Sequence, residues 1–402
     1  MMKRSFLRKM FAEKKTLVVD LTHGGRTLGR MIQGYPGAEV ILYDLYGADK
    51  GSRIPDFDLC VSPVHSPVMN PILEGDDRVI SHHRAVGYIL KTFKDSTGCR
   101  IVEVTGTRGK TSVAMILKYI LTPGLRVLSS TSSGLDYTDR EGTILLKERG
   151  SITPSHALDV MEIAKERGLT VDIALFEVSL GFTGAADLNI LTSLEGDYPI
   201  AGGKLSATAA KRFTMRGLDV IEKGVIEAEN SRLFGRRQQE NLSLACLAAS
   251  KLGVSERAIK NRVSNLGQVR SRMEVVKSGD WVVIDDRNPA SDAFNLQSGI
   301  DEIMEMEGDR IVLIGGSRRS NCSQIDLEAI IGVLDRYRDR VTFYLYGEIG
   351  EDLRACGVEH PLLAWDDANA DNEVLEDLRA RSDENKGVIL LAGRPMEGWR
   401  WR

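Results

Sequence analysis

The sequence predicts an α/β protein with three domains, each built around a parallel sheet. The chain has 402 residues, which is more than one compact core usually holds. Short apolar runs alternate with helical stretches along its whole length, a pattern typical of parallel sheets. These runs fall into three groups, which predict domains at residues 1–97, 98–269 and 270–402.

Composition and charge exclude several classes of protein. Hydrophobic residues make up 42% of the chain and the net charge is only −4, so neither a disordered chain nor a nucleic-acid-binding surface is expected. No apolar run of 18 residues is present, which argues against a transmembrane helix. The five cysteines lack metal-type spacing and favour a reducing compartment. We therefore expect a cytoplasmic protein without nucleic-acid or membrane partners, either a monomer or a homodimer.

The first predicted domain resembles half of a Rossmann unit. Its strands are expected at Thr16–Asp20, Glu39–Tyr43 and Asp58–Val61, and a His-Gly-Gly turn follows the first of them. The glycine spacing differs from that of the dinucleotide fingerprint, so a scaffold without a bound dinucleotide is favoured over an NAD-linked enzyme. The basic segment 1–15 is interpreted as a docking helix or a frayed terminus rather than a membrane-surface helix.

The other two predicted domains repeat the alternation of strands and helices. In the second, a strand at Arg100–Val104 leads into a glycine-rich loop and a helix at Lys110–Leu121. The remaining predictions there are strands at Arg126–Ser129, Ile173–Phe176 and Leu188–Leu191, and a helix at Asn241–Leu252. The third domain is predicted to contain strands at Trp281–Ile284, Arg310–Ile314, Thr342–Leu345 and Val388–Leu391.

The glycine-rich loop carries the strongest chemical signal. Its glycines allow a phosphate to approach the main chain, and the following helix supplies a positive N-terminus. A lysine can then reach the β- and γ-phosphates, and a threonine hydroxyl can bind Mg²⁺. A glycine turn that binds nothing is the alternative, but Gly-Lys-Thr at a strand–helix junction is specific. The predicted ATP-binding residues are Gly106, Thr107, Arg108, Gly109, Lys110, Thr111 and Ser112.

A departure in this loop points to a particular family. Val104 stands where the general phosphate-binding motif has glycine, and the form Gly-Thr-x-Gly-Lys-Thr-Ser resembles the loop of the Mur ligase family. Three further segments are similar to family motifs in the same order: residues 151–154, the Glu-Val-Ser segment at Glu177 and the Ala-Lys segment at Lys211. The resemblance implies a Rossmann-like N-terminal substrate domain, a central ATP-binding domain and a Rossmann-like C-terminal domain that closes over the active site.

The resemblance also implies roles for individual residues. Lys110, Glu177 and Lys211 would be catalytic, Thr111 and Glu177 would bind Mg²⁺, and Lys211 is a candidate for carbamylation. Asn241, Arg272 and Asp286 would contact ATP, with Asn288-Pro289 and the segment 315–319 as further matches. Tyr198 replaces the family's histidine and Ser193 replaces its asparagine, so the sequence leaves open whether one or two Mg²⁺ ions bind.

The family's reaction is ATP-dependent activation of a carboxylate as an acyl phosphate. The short chain, the Thr-His-Gly-Gly turn and the segment Ser81–Arg84 most resemble an archaeal branch of the family. That branch closes a carbocyclic ring on a nickel tetrapyrrole by activating a propionate side chain. A nickel seco-tetrapyrrole acid is therefore the implied substrate, and amide ligation of an amino acid to a cell-wall or folate-type acid is the alternative. A binding protein gated by nucleotide is a third hypothesis. Glu177 and Lys211 argue against it, because simple nucleotide binding would not need them.

Four histidines lie in the first predicted domain: His23, His65, His82 and His83. They are candidates for tetrapyrrole contacts or axial nickel ligands, and His23, His82, His83 and Tyr198 are the predicted substrate residues. Capping, core or surface positions are the alternative for each histidine. His82 and His83 are adjacent, so in an extended segment their rings would point in opposite directions.

Overall fold

A computed structural model describes residues 10–66, 77–148, 150–224, 230, 232–277, 280–288, 291–318, 325–363, 380 and 386–395. Residues 1–9 of the predicted basic segment, Pro289 and Arg319 lie outside these ranges. Within them, no helix has the length and apolar character needed to cross a bilayer. The chain forms two compact units, one of Met1–Glu229 with Glu240–Asn265 and the other of Asn230–Gln239 with Leu266–Arg402. The division into three domains stays a prediction.

The N-terminal part of the first unit is a four-stranded parallel sheet. Its strands are β1 (Lys15–Val19), β2 (Glu39–Tyr43), β3 (Leu59–Ser62) and β4 (Val79–Ser81), in the order β2-β1-β3-β4. The accompanying helices are α1 (Arg26–Gln33) and α2 (His82–Thr97). Three of these strands lie within two residues of the predicted positions, because each is an apolar run that ends at polar residues.

A seven-stranded sheet and its helices form the rest of the first unit, although residues 236–239 of one helix belong to the second unit. Its elements in chain order are β5 (Arg100–Thr105), α3 (Lys110–Leu121), β6 (Val127–Thr131), β7 (Gly134–Thr138), β8 (Thr143–Lys147), α4 (His156–Glu166), β9 (Ile173–Glu177), β10 (Leu188–Leu191), β11 (Pro199–Ile200), β12 (Leu205–Ser206), α5 (Ala207–Met215), β13 (Val220–Ile221), α6 (Arg236–Lys251) and α7 (Glu256–Val263). The sheet order is β13-β10-β5-β9-β6-β7-β8, and β11 pairs with β12 separately. Strand β7 pairs antiparallel with both β6 and β8, and the other described pairs in this sheet are parallel.

The pairing of β5 with β9 determines where the chemistry of this sheet lies. The two strands are adjacent and parallel, with Val104 opposite Glu177. Because carboxyl ends of parallel strands meet at one edge of a sheet, the loop after β5 and the carboxylate at the end of β9 become neighbours. Strand β10 flanks β5 on its other side, with Leu191 opposite Thr105.

One hydrophobic core serves both sheets of the first unit. Val18 of β1 and Val61 of β3 belong to the same buried cluster as Ile101 of β5 and Phe176 of β9. Helices α2 and α4 supply the apolar side chains between the sheets, including Val86, Leu90, Leu158 and Met161. The two sheets are therefore parts of one packed body.

The second unit contains a six-stranded sheet. Its elements are β14 (Glu274–Lys277), β15 (Trp281–Asp285), α8 (Ala293–Ile303), β16 (Asp309–Gly315), α9 (Leu327–Tyr337), β17 (Thr342–Tyr346), α10 (Gly347–Ala355), β18 (Leu362–Leu363) and β19 (Gly387–Gly393). The order is β14-β15-β19-β16-β17-β18, and only β14 runs antiparallel to its neighbour. Separate apolar clusters cover the sheet's two faces, so its strands are apolar on both sides.

Gly87 provides a test of the packing around α2. A Cβ atom at Gly87 would overlap the carbonyl oxygen of Thr183, whereas one at Gly332, on an exposed part of α9, would meet nothing. We expect Gly87→Ala to lower the free energy of unfolding by about 1–3 kcal/mol because the backbone must shift. The matched Gly332→Ala should leave it unchanged or raise it by up to ~1 kcal/mol through helix propensity. Urea unfolding measures both, and equal stabilisation by the two alanines would contradict the close approach.

Candidate active site

The loop between β5 and α3 needs glycine at two positions. Gly106 has φ +147° and Gly109 has φ +80°, conformations that other residues rarely adopt. A Cβ atom at Gly106 would overlap Oγ1 of Thr192, and one at Gly109 would overlap Oδ1 of Asn241. The N–H of Thr107 donates to the carbonyl oxygen of Ser193 over 2.7 Å. The loop is therefore held against the segment after β10 and against α6, which brings the predicted Asn241 to it.

Positive charge collects at the N-terminus of α3. Lys110 is the first residue of this helix, and its Nζ donates to the carbonyl oxygen of Gly106 over 3.0 Å. Arg108 lies two residues before Lys110, and Ser112 is buried in the first turn. The unpaired N–H groups of a helix start and the nearby ammonium both attract phosphate. The predicted phosphate-binding residues thus form one continuous structure.

Glu177 lies beside this loop with its carboxylate fixed. Its Oε2 accepts hydrogen bonds from Thr111 Oγ1 and from the N–H of Ser132, each over 3.0 Å. Two adjacent oxygen ligands of an octahedral Mg²⁺, with bonds near 2.1 Å, are also separated by about 3.0 Å. Thr111 and Glu177 therefore fit a magnesium site. Ser132, which directly follows the end of β6, was not predicted from the sequence.

Lys211 is completely buried in α5, near the same loop. Burial, together with the nearby charges of Lys110 and Arg108, lowers the pKa of its ammonium to about 7, and Asp197 acts in the opposite direction. Nζ lies 5.3 Å from the centroid of the Tyr198 ring. At neutral pH a large fraction of this amine is uncharged, which is the form that reacts as a nucleophile.

His82 and His83 occupy interior positions at the start of α2. Nε2 of His82 donates to the carbonyl oxygen of Val19 over 2.9 Å, and Nε2 of His83 donates to that of Ser179 over 2.8 Å. Burial lowers the pKa of His82 to about 3 and that of His83 to about 4, so both rings are neutral. This placement favours the core alternative, and a contact with substrate stays a prediction for both.

His23 lies in a different environment from the buried pair. Its Nδ1 is 2.6 Å from Oδ2 of Asp20, and Nε2 of His65 is 3.3 Å from the same oxygen. Burial alone would raise the pKa of Asp20, but hydrogen bonds from the two histidines hold it well below its usual range. Asp20, the last residue of the first predicted strand, was not predicted as a site residue. The adjacent Gly24 packs against Ser155, beside the predicted segment 151–154.

Arg272 and Asp286 come together in the second unit. Oδ1 of Asp286 accepts the N–H of Met273 over 3.2 Å, and Nη1 of Arg272 donates to the carbonyl oxygen of Ser271 over 2.8 Å. Burial raises the pKa of Asp286 to about 7, although the Arg272 charge acts in the opposite direction. These two residues therefore share one local environment, and their contact with ATP stays a prediction.

Two buried arginines at the carboxyl edge of the C-terminal sheet were not predicted. Arg287 follows β15 and makes two 2.9 Å hydrogen bonds to the carboxylate of Asp285. Arg394 follows β19 and is almost fully buried, which lowers the pKa of its guanidinium. Their signal in the sequence is an arginine within two residues of the end of an apolar strand.

The sequence is similar to two curated archaeal proteins named coenzyme F430 synthetase. Identity is 27% to the protein of Methanosarcina acetivorans, over 86% of this chain and 92% of the relative. It is 25% to the protein of Methanocaldococcus jannaschii, over 84% of this chain and 91% of the relative. No protein-family model matches the chain. These similarities confirm the resemblance predicted from the sequence.

Solved structures show the same fold. A crystal structure of MurF from Acinetobacter baumannii has a TM-score of 0.52 at 12% identity, with 97% of this chain and 89% of that chain covered. A bifunctional folylpolyglutamate synthase/dihydrofolate synthase of Yersinia pestis, complexed with AMPPNP and a Mn ion, has a TM-score of 0.51 at 15% identity, covering 76% and 90%. The Mur ligase fold predicted from the sequence is thereby confirmed.

Removal of the Lys110 ammonium tests the phosphate site. We expect Lys110→Ala to weaken ATP binding by at least about tenfold, because a charge-assisted hydrogen bond to phosphate contributes about 1.5–3 kcal/mol. Titration calorimetry measures the affinity. The control is Lys165→Ala, since Lys165 is an exposed lysine near the end of α4. Equal ATP affinity in wild type and Lys110→Ala would contradict the assignment.

Proposed function

We propose that this chain is an ATP-dependent ligase that activates a substrate carboxylate as an acyl phosphate. We propose further that it acts as a coenzyme F430 synthetase. The assignment as an ATP-dependent ligase rests on one observation. Lys110, Thr111 and Glu177 lie together at the edge of the seven-stranded sheet. The assignment as a coenzyme F430 synthetase is supported by similarity to two proteins of that name over more than four-fifths of the chain. The substrate would be a nickel seco-tetrapyrrole carrying a propionate side chain.

The first step transfers the γ-phosphoryl group of ATP. An oxygen of the propionate carboxylate attacks the γ-phosphorus, the bond to the bridging oxygen of ADP breaks, and an acyl phosphate forms. Charge on the phosphates has to be neutralised and the carboxylate has to be aligned with the leaving oxygen. Lys110, Arg108 and the N-terminus of α3 would supply positive charge. A Mg²⁺ ion held by Thr111 and Glu177 would add to that neutralisation.

The second step closes the ring. A carbon of the same macrocycle loses a proton and attacks the acyl carbonyl carbon, and inorganic phosphate leaves. The product gains a carbon–carbon bond and a ring ketone, and ATP has become ADP and phosphate. An intramolecular carbon nucleophile needs no separate site for an amine. The presence of Tyr198, where related amide ligases have histidine, is compatible with this difference.

Turnover of candidate acids distinguishes ring closure on a tetrapyrrole from amide ligation. We expect phosphate release and a change in the visible spectrum when the protein meets a nickel seco-tetrapyrrole acid, ATP and Mg²⁺. Glu177→Ala should abolish both signals because the metal loses a ligand, whereas the exposed-lysine control Lys165→Ala should retain them. If phosphate release requires an added free amino acid, the protein is an amide ligase. If neither substrate set releases phosphate, the ligase proposal is wrong.

Lys211 is proposed to carry a carbamate that helps to position substrate or metal. The reaction joins the neutral amine to CO₂ and releases one proton. About half of an amine with a pKa near 7 is neutral at pH 7, compared with roughly one part in 2,500 for an ordinary lysine. The low pKa thus makes carbamate formation possible near neutral pH.

The carbamate can be detected by ¹³C NMR with labelled bicarbonate. We expect a carbamate signal that grows between pH 6 and pH 8, as Lys211 loses its proton, and that is absent in Lys211→Ala. Lys165→Ala should keep the signal. A signal of equal strength in Lys211→Ala would show that another amine carries it.

A further inference from the structure

Three side chains converge where β1 ends, on the N-terminal sheet. Oδ2 of Asp20 lies 2.6 Å from Nδ1 of His23 and 3.3 Å from Nε2 of His65. The two imidazole nitrogens are themselves 3.3 Å apart. Asp20 is fully buried, while the two histidine side chains are about one-fifth exposed and leave a path from solvent. The three side chains therefore form a compact group, with the buried Asp20 carboxylate on one side and the two partly exposed imidazoles on the other.

The main chain holds Asp20 in one orientation. Its other oxygen, Oδ1, accepts the N–H groups of Thr22 and His23 over 2.9 and 3.2 Å. Oδ2 is thereby directed at the imidazoles. Asp20 also has φ +70°, an unfavourable conformation for a residue other than glycine. Such strain is found at functional sites, where the surrounding structure maintains it.

The spacing of the three atoms agrees with that of ligands around one metal ion. Zinc–nitrogen bonds are about 2.0–2.1 Å long, and two ligands at a tetrahedral angle are then about 3.3 Å apart. Two of the three separations have this value. The third, 2.6 Å between Asp20 and His23, would have to lengthen by about 0.7 Å to reach it. Hydrogen bonding from Thr22 and His23 provides the outer contacts that usually orient a ligating carboxylate.

We propose that Asp20, His23 and His65 bind one divalent transition-metal ion, through Oδ2, Nδ1 and Nε2 respectively. Two imidazoles and one carboxylate suit Zn²⁺, Co²⁺ or Ni²⁺, whereas Mg²⁺ and Ca²⁺ prefer oxygen ligands. Three protein ligands leave at least one coordination position for water or another small ligand. This ion is distinct from the Mg²⁺ expected at Thr111 and Glu177.

The convergence of three ligands favours a free ion over the metal of a tetrapyrrole. A macrocycle occupies the four equatorial positions of its metal and offers one position on each face. A single histidine can take that position, but three atoms within 3.3 Å of one another cannot all do so. The proposed site therefore does not depend on the identity of the ligase substrate.

Metal titration of the untagged protein tests the site without ATP or tetrapyrrole. After treatment with a chelator, we expect one Co²⁺ or Zn²⁺ per chain by calorimetry, and visible d–d absorption from bound Co²⁺. His65→Ala should weaken binding on the order of 100-fold or more, since even loss of an outer-shell contact costs 10–100-fold. His360→Ala, which removes a histidine of the second unit, should bind as the wild type does.

A second measurement avoids variants that fail to fold. Zn²⁺ should protect His23 and His65 of the wild-type protein from diethyl pyrocarbonate, read by mass spectrometry, and leave modification of His360 unchanged. Equal Co²⁺ affinity of folded His65→Ala and wild type would overturn the proposal. So would unprotected His23 and His65 at saturating Zn²⁺. Failure of ligase turnover would leave both readouts unaffected, so the two proposals fail separately.

Discussion

The parallel pairing of β5 and β9 places Glu177 where one carboxylate oxygen can join three segments of the chain. Oε2 accepts from Thr111 at the start of α3 and from the main chain of Ser132 after β6. Because the carboxylate is buried, loss of these hydrogen bonds would leave an unpaired charge in the interior. The position of the phosphate loop, the start of its helix and the end of the neighbouring strand all depend on this interaction.

Close packing also fixes the position of the phosphate loop on its other side, where its backbone lies against neighbouring side chains. Gly106 and Gly109 leave no space for a side chain against Thr192 and Asn241, so the loop has little freedom to move. A site that is already ordered avoids the entropic cost of ordering when a nucleotide binds. The buried Lys211 adds an amine whose charge is set first by burial and then by the cations of the loop. The phosphate loop therefore determines the shape of the nucleotide site and also contributes to the charge of Lys211.

The sequence predicted those features that are local in the chain. The strands predicted from apolar runs lie within two residues of observed strands, whereas short strands such as β4, β13 and β18 were not predicted. The glycine-rich loop was predicted because its residues are contiguous in the sequence. The antiparallel pair β7 and β8 was missed, since β8 is largely exposed and has no buried run. Ser132 was missed because its partner Glu177 is distant in sequence, and Asp20 was missed because the approach of His65 depends on folding. The burial of His82 and His83 likewise depends on Val19 and Ser179, which are distant in sequence.

The common core of the first unit has a thermodynamic consequence. Val18 and Ile101 belong to different sheets but to one buried cluster, so neither sheet can unfold without exposing apolar surface of the other. The N-terminal sheet and the nucleotide-binding sheet should therefore melt in a single cooperative transition. The C-terminal sheet has clusters of its own and is expected to contribute a separate transition. A polypeptide cut before β5 would lose half of that common core and would aggregate through the surface left bare.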